Sequence, residues 1–241
     1  MNKILIIARK EFLTFFDSLI AYIMLVAFLG FSGFFTWLYG MDIFLRNQAD
    51  LQAFFAIAYW TLFFFIPALT MKMLAEENKT GTIELLLTKA VTDWQVILGK
   101  FFSCLALVGL ALALSLPYYI TVWKLGPIDH SAVWCGYLGL LLMSATYVSI
   151  GLFASSITSN QIVAFLLALF IGMFFHIIFD VMANNFSGII GETFSYLSVS
   201  SHYESISRGV IDTKDLVYFL SIIFAGLILS EISLSKRNVT D

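Results

Sequence analysis

"EENKTGTIELLLTKAVTDW", residues 76–94, is the stretch on which the reading of this chain turns. It concentrates charge in a chain of 241 residues that is 60% hydrophobic, 17% aromatic and only 12% charged. Soluble domains carry about 25% charged residues. The stretch has no metal-ligand spacing, no nucleophile beside a base and no glycine-rich phosphate loop. It lies between apolar runs, and those runs set the fold class.

Six runs read as transmembrane helices, over residues 18–39, 53–75, 96–121, 132–154, 160–182 and 215–234. Each has roughly 20 residues, which at about 1.5 Å per residue crosses a hydrocarbon core of roughly 30 Å. The expected fold is therefore an all-α membrane protein, with one transmembrane domain over residues 1–241. Lys and Arg orient it. With the N-terminus inside, the inner segments hold nine of the 13 basic residues and the outer loops hold Arg46, Lys124, Arg208 and Lys214. The positive-inside rule then places both termini in the cytoplasm, and an even number of spans agrees.

Three pieces do not span. Residues 3–17, "KILIIARKEFLTFFD", place Leu5, Ala8, Phe12 and Phe15 on one helical face, with Arg9, Lys10 and Glu11 away from it. That pattern reads as an interfacial helix on the inner leaflet, or as a plain extension of span 1. In the segment 76–95, Gly81 and Thr82 begin a helix with Glu84 in its first turn and Ile83, Leu86 and Leu87 on one face. Thr92 and Gln95 then form a capping box, with Val91 and Val96 at staple positions, opening span 3. A helix of about six residues is not stable alone and needs a surface to pack on. Residues 183–214 carry Ile189, Ile190, Phe194, Tyr203 and Ile206, so one or two short helices cap the outer mouth. Ser201 and Glu204 have capping-box spacing there, and Gly209 closes that helix.

Several chemistries are excluded. No phosphate loop occurs: Gly99-Lys100 has Trp94 at the position where the motif needs Gly, and Phe follows the Lys. No zinc-protease, paired-cysteine or nucleophile-elbow motif appears, so an enzyme is not expected. Cys104 and Cys135 read as small core residues. A net charge of −3 without a basic run excludes a nucleic-acid track. No signal peptide is expected, because the first apolar run is too long for one.

Within the spans, ionisable residues are the functional suspects. His176 and Asp180 stand four apart on span 5, as a proton relay or as an interhelical hydrogen-bonded pair. Ser144, Thr146, Tyr147 and Ser149 on span 4 are polar groups available to a central path. Gly151 with Ser155, and Ala145 with Ser149, have small-x-x-x-small spacing for close helix contact, within the chain or at a dimer seam. Pro67 and Pro117 interrupt spans 2 and 3.

Across nearly its full length the chain resembles the type-2 permeases of ABC transporters. The local match is "EENKTGTIELLLTKAVTDWQVILGKFF", residues 76–102: Glu76 or Glu77, Gly81-Thr82, Glu84, Leu85 to Leu87, and Gly99-Lys100 opening span 3. Many members have Pro where this chain has Ala90. "SNQIVAF" (159–165) and "SRGVIDTKDLVYFL" (207–220) are similar to the gliding-motility-associated (GldF-like) permeases, and NosY-type permeases are close to the same pattern. The resemblance implies an exporter half in a bacterial inner membrane, paired with a second, identical or related permease above a cytoplasmic ABC ATPase dimer. It makes residues 81–89 a coupling helix, with Glu76, Glu77, Gly81, Thr82, Glu84, Leu85, Leu86, Leu87 and Lys89 as the ATPase-coupling residues. ATP and Mg would sit on the partner ATPase, with no cofactor on this chain. A membrane anchor without cargo is the competing reading, and a secondary transporter using His176 and Asp180 is a third.

Overall fold

The computed structural model describes residues 3–38, 48–81 and 91–240, with the backbone alone for 237–240. Residues 82–90, the middle of the opening stretch, lie outside the described residues, and so do 39–47.

The described residues are helical throughout. The helices are α1 (Lys3–Asp17), α2 (Leu19–Trp37), α3 (Gln52–Thr70), α4 (Ala75–Thr80), α5 (Asp93–Leu114), α6 (Leu116–Leu125), α7 (His130–Ser156), α8 (Gln161–Met173), a π-helical turn (Phe174–Ile178), α9 (Phe179–Asn185), α10 (Ile189–Leu197), α11 (Val199–Ser207) and α12 (Thr213–Thr240). Six stretches are long and apolar enough to cross a membrane: Leu19–Trp37, Gln52–Thr80, Asp93–Leu125, His130–Ser156, Gln161–Asn185 and Thr213–Lys236. They fall on the six expected runs.

The fourth span, α7, is the axis. Of its membrane-length window 78% is buried, against 28%, 22% and 22% for the first, fifth and sixth spans. Its composition explains this. Lipid tails are as apolar as leucine, so helices associate where small residues let backbones approach. A Cβ on Gly136 would strike the Phe55 ring, one on Gly139 would crowd Tyr203, and one on Gly151 would strike Thr70 Oγ1. Gly226 of α12 presses on Ser149 in the same way. The buried hydroxyls cost little because each has an acceptor one turn back: Ser144 donates to Leu140 O at 2.6 Å and Thr146 to Leu142 O at 3.1 Å. The small-residue spacing on span 4 thus serves contacts within the chain.

The bundle has two distinguishable ends. The near end gathers α1, the α3–α4 turn, α4, the start of α5 and the end of α7. The far end gathers α10, α11 and the start of α12. The two prolines behave differently. Pro67 lies inside α3, which runs on to Thr70. Pro117 stands in the first turn of α6, where span 3 breaks after Leu114. Ser115 restores polar partners at that break, donating to Leu112 O at 2.7 Å and pairing with the Tyr137 hydroxyl at 3.0 Å.

Local signals fare unevenly. The Thr92–Gln95 capping box is present on both sides. Gly209 follows α11 with φ +94°, as a helix-closing glycine does. The Ser201–Glu204 box is not formed. α11 begins three residues earlier, and Ser198 Oγ accepts from Ser201 N instead. A serine at the true first position outcompetes one already inside the helix.

Candidate functional site

At the near end a lysine is buried in a helix of oil. Lys100, two turns into α5, is 1% exposed. Its Nζ donates to Glu77 Oε1 on α4 at 2.7 Å and lies 3.7 Å from Glu11 Oε1 on α1. An unpaired ammonium there would carry a desolvation penalty of several kcal/mol, so the two carboxylates make the position tenable. The ion cluster joins three elements. Gly99 is the backbone counterpart: a Cβ on it would stand 2.5 Å from Ile7 Cγ2, so α1 lies directly on α5. This corrects the expected face of α1. Glu11, expected away from the packed face, points inward to Lys100, while Ala8, Phe12 and Phe15 of that face stay against the bundle.

Span 2 is fastened from the other side. Ser155 Oγ on α7 accepts from Leu74 N at 3.0 Å and Ala75 N at 2.9 Å and donates to Met71 O at 3.0 Å. Asn78 Nδ2 donates to the carbonyls of Ser156 at 3.2 Å and Thr158 at 3.3 Å. These bonds satisfy backbone groups freed where span 2 turns at residues 71–74, and they explain why α4 holds shape at only six residues. A cleft of about 390 Å³ lies between α1 and α4, lined by Lys10, Glu11, Lys72, Glu76, Glu77 and Lys100 among others.

Of the coupling residues expected from the sequence, Glu77 is in the ion cluster, Glu76 lines the cleft exposed, and Gly81 adopts φ +68°. Gly81 ends α4 in the left-handed conformation that terminates helices. Thr82, Glu84, Leu85, Leu86, Leu87 and Lys89 lie outside the described residues.

The far half holds a second polar cluster. His176 sits in the π-helical turn, and its Nδ1 is 2.5 Å from the Tyr147 hydroxyl. The ring stacks on Tyr59 at 4.1 Å and on Phe63 at 4.4 Å. Ser200 Oγ donates to the His176 carbonyl at 2.5 Å and is hydrogen-bonded to the Tyr59 hydroxyl. The wider π-turn frees backbone groups, and such turns recur at functional sites. The expected His176–Asp180 pair does not form. His176 turns its Nδ1 to Tyr147 on α7, and the Asp180 carboxylate accepts from Asn184 at 3.4 Å. Both residues still line one cavity of about 820 Å³. Ser144 is buried and bonds only to its own helix among the described residues. Beyond the cavity, His202 Nδ1 meets Asp215 Oδ1 at 2.6 Å, and its ring stacks on Tyr218 at 3.8 Å. Burial pushes the Tyr203 hydroxyl up, well above the usual phenol range, so it remains a neutral O–H at physiological pH.

Compared with known families, residues 5–235 match the model described as ABC-2 family transporter protein. The chain belongs to that family. No curated protein matches it. Chains of this family are the membrane-spanning permease components of transporters and work with a separate ABC ATPase. With its six apolar spans this permease is a multi-pass membrane protein.

The sequence reading gave Ser155 only close helix contact and Lys100 only a place in the family pattern, and it assigned no role to Glu11, His202 or Asp215. A signal existed for Lys100, because a lysine inside an apolar run demands a partner. Nothing local marks Glu11 and Glu77, 66 residues apart in the chain, as those partners.

Proposed function

We propose that the permease is one half of an ATP-driven, exporter-type ABC transporter. It pairs with an identical or related permease, and a cytoplasmic ATPase dimer carrying ATP and Mg drives it through residues 81–89. The observation that carries this reading is the Lys100–Glu77–Glu11 cluster. It ties α4, which leads straight into residues 82–90, to α1 and to span 3. A push on that segment therefore reaches three elements through one charged joint rather than being absorbed by a loose loop. The near end is then the cytoplasmic end, as the basic residues suggest. The likeness of residues 159–165 and 207–220 to gliding-motility permeases supports a role tied to that machinery.

Co-expression with the cognate ATPase separates the steps. Leu86→Asp and Glu84→Lys are expected to lower ATPase co-purification at least tenfold. Glu77→Gln is expected to retain the ATPase but to lose transport-coupled ATP hydrolysis. Unchanged coupling in Glu77→Gln and Leu86→Asp together would leave the anchor reading, in which the fold docks a machine and moves nothing.

A further inference from the structure

The far-half cavity is built as a receptor and not as packing. Its volume, about 820 Å³, is within the range of small-molecule sites, roughly 300–1,000 Å³. Two of its wall residues bring buried polar atoms that have no hydrogen-bond partner among the described residues: His176 Nε2 and the Tyr203 hydroxyl. His176 is 2% exposed and Tyr203 7%. Buried polar groups are almost always satisfied, and leaving one orphaned costs about 1–3 kcal/mol. Two orphans on one wall point to a ligand that completes them.

The charges say which chemistry. Asp180, Glu204 and Arg208 line the same cavity, and none is in a salt bridge among the described residues. Trp60, 46% exposed, adds an indole face suited to an ammonium group. The cavity thus offers two anions and an aromatic face for a cation, and one guanidinium plus a phenol O–H for an oxyanion. A zwitterion satisfies both orphans whichever tautomer His176 takes. If Tyr147 donates to Nδ1, then Nε2–H donates to the oxyanion; in the other tautomer Nε2 accepts from the ammonium.

The remaining wall decides whether that zwitterion is soluble or lipid-borne. Ala56, Trp60 and Val181 are apolar, exposed and part of the same cavity, on spans 2 and 5. They give an acyl chain apolar surface to leave by, which a free solute does not need. We propose that this cavity binds the amine-and-phosphate headgroup of a zwitterionic phospholipid. Asp180 and Glu204 hold the ammonium, Arg208 and Tyr203 hold the phosphate, and the chains leave past Trp60 and Val181. The site is independent of the coupling reading, since it involves neither α4 nor residues 81–89.

The test uses the full chain purified in mild detergent, with lipid retention read by native mass spectrometry after incubation with phosphatidylethanolamine or phosphatidylglycerol. The expected result is at least fivefold preferential retention of phosphatidylethanolamine, lost in Asp180→Asn/Glu204→Gln but kept in Glu77→Gln. Soluble phosphoethanolamine at equal concentration is expected not to displace the lipid. Equal retention of the two lipids, or an undiminished preference in the double variant, would overturn the proposal. Displacement by phosphoethanolamine at equal concentration would overturn the lipid assignment. Because the two changes are isosteric and both side chains are at least partly exposed, folding is not at stake; an unaltered elution profile checks this.

Discussion

The near end of the bundle and its far half solve the same problem with different means. Each buries polar chemistry among apolar helices. At the near end the solution is ionic: one ammonium between two carboxylates, drawn from three helices. In the far half, around His176, it uses no ion pair: a histidine between aromatic rings, a tyrosine hydroxyl and a serine, beside an open cavity. An ionic joint in low dielectric is stiff, because separating its members leaves a bare charge. A neutral, stacked cluster beside a cavity tolerates rearrangement, because each bond lost costs little and water can replace it. The end next to residues 82–90 is thus built to transmit displacement, and the far half to accommodate a guest.

The largest effect that separates the two is Lys100→Ala. It leaves Glu77 without its cation and Glu11 with only the exposed Lys10 at 3.8 Å, and losses of about 3–5 kcal/mol are typical when one partner of a buried pair is removed. Detergent-solubilised thermal unfolding is expected to show the largest drop of any single variant here. A Lys100→Met/Glu77→Gln variant is expected to recover a substantial part of it, because it removes the orphaned charge along with the pair.

Next comes the backbone contact beneath the cluster. Gly99→Ala places a methyl 2.5 Å from Ile7 Cγ2 and 2.7 Å from Ile7 Cβ, so α1 has to lift from α5. Overpacking of this kind costs about 1–3 kcal/mol. Ile7→Ala removes the nearer contact, so the double variant is expected to be less destabilised than the sum of the two single changes. Strict additivity, measured by the same unfolding assay, would mean that α1 is not seated on Gly99 in the membrane.

These two sites also show what the chain reveals on its face. The six spans were legible because length and apolarity are local properties, and the bilayer leaves helices as the simplest solution. The capping box at Thr92 and the helix stop at Gly209 were legible for the same reason. Glu11 was misread. Amphipathic patterning puts a lone carboxylate on the wet face, and only the fold brings Lys100 to it. The His176–Asp180 pair was misread because a shared face shows only that two side chains can meet, and Tyr147, on another helix, takes the histidine instead. What sequence hides here is distance across helices and departures from ideal helix geometry. Both candidate sites depend on one or the other.

A smaller effect is expected at the seam that fixes span 2 to the axis. Ser155→Ala strips the acceptor from the amides of Leu74 and Ala75, both buried. Two orphaned N–H groups suggest a loss of about 2 kcal/mol. Hydrogen exchange resolved to the peptide covering residues 71–80 is expected to accelerate, while exchange over α8 stays as it was. Acceleration spread evenly over both would place the role of Ser155 in general packing.

Tyr147→Phe is the smallest and the sharpest. It removes the hydroxyl that meets His176 Nδ1 at 2.5 Å and leaves the ring volume in place. The His176 ring remains clamped by Tyr59 and Phe63, and the adjoining cavity can admit a water to the freed nitrogen. The expected cost is therefore about 1 kcal/mol, at the low end for a broken buried hydrogen bond. Thermal unfolding of Tyr147→Phe alongside Lys100→Ala measures the contrast directly. A loss equal to that of Lys100→Ala would mean that the far-half cluster is as rigid as the ionic joint, and the division of labour between the two ends would fail. A small loss, accompanied by weaker retention of phosphatidylethanolamine, would tie the histidine's protonation to the cavity, since Tyr147 decides whether Nε2 meets the guest as a donor or as an acceptor.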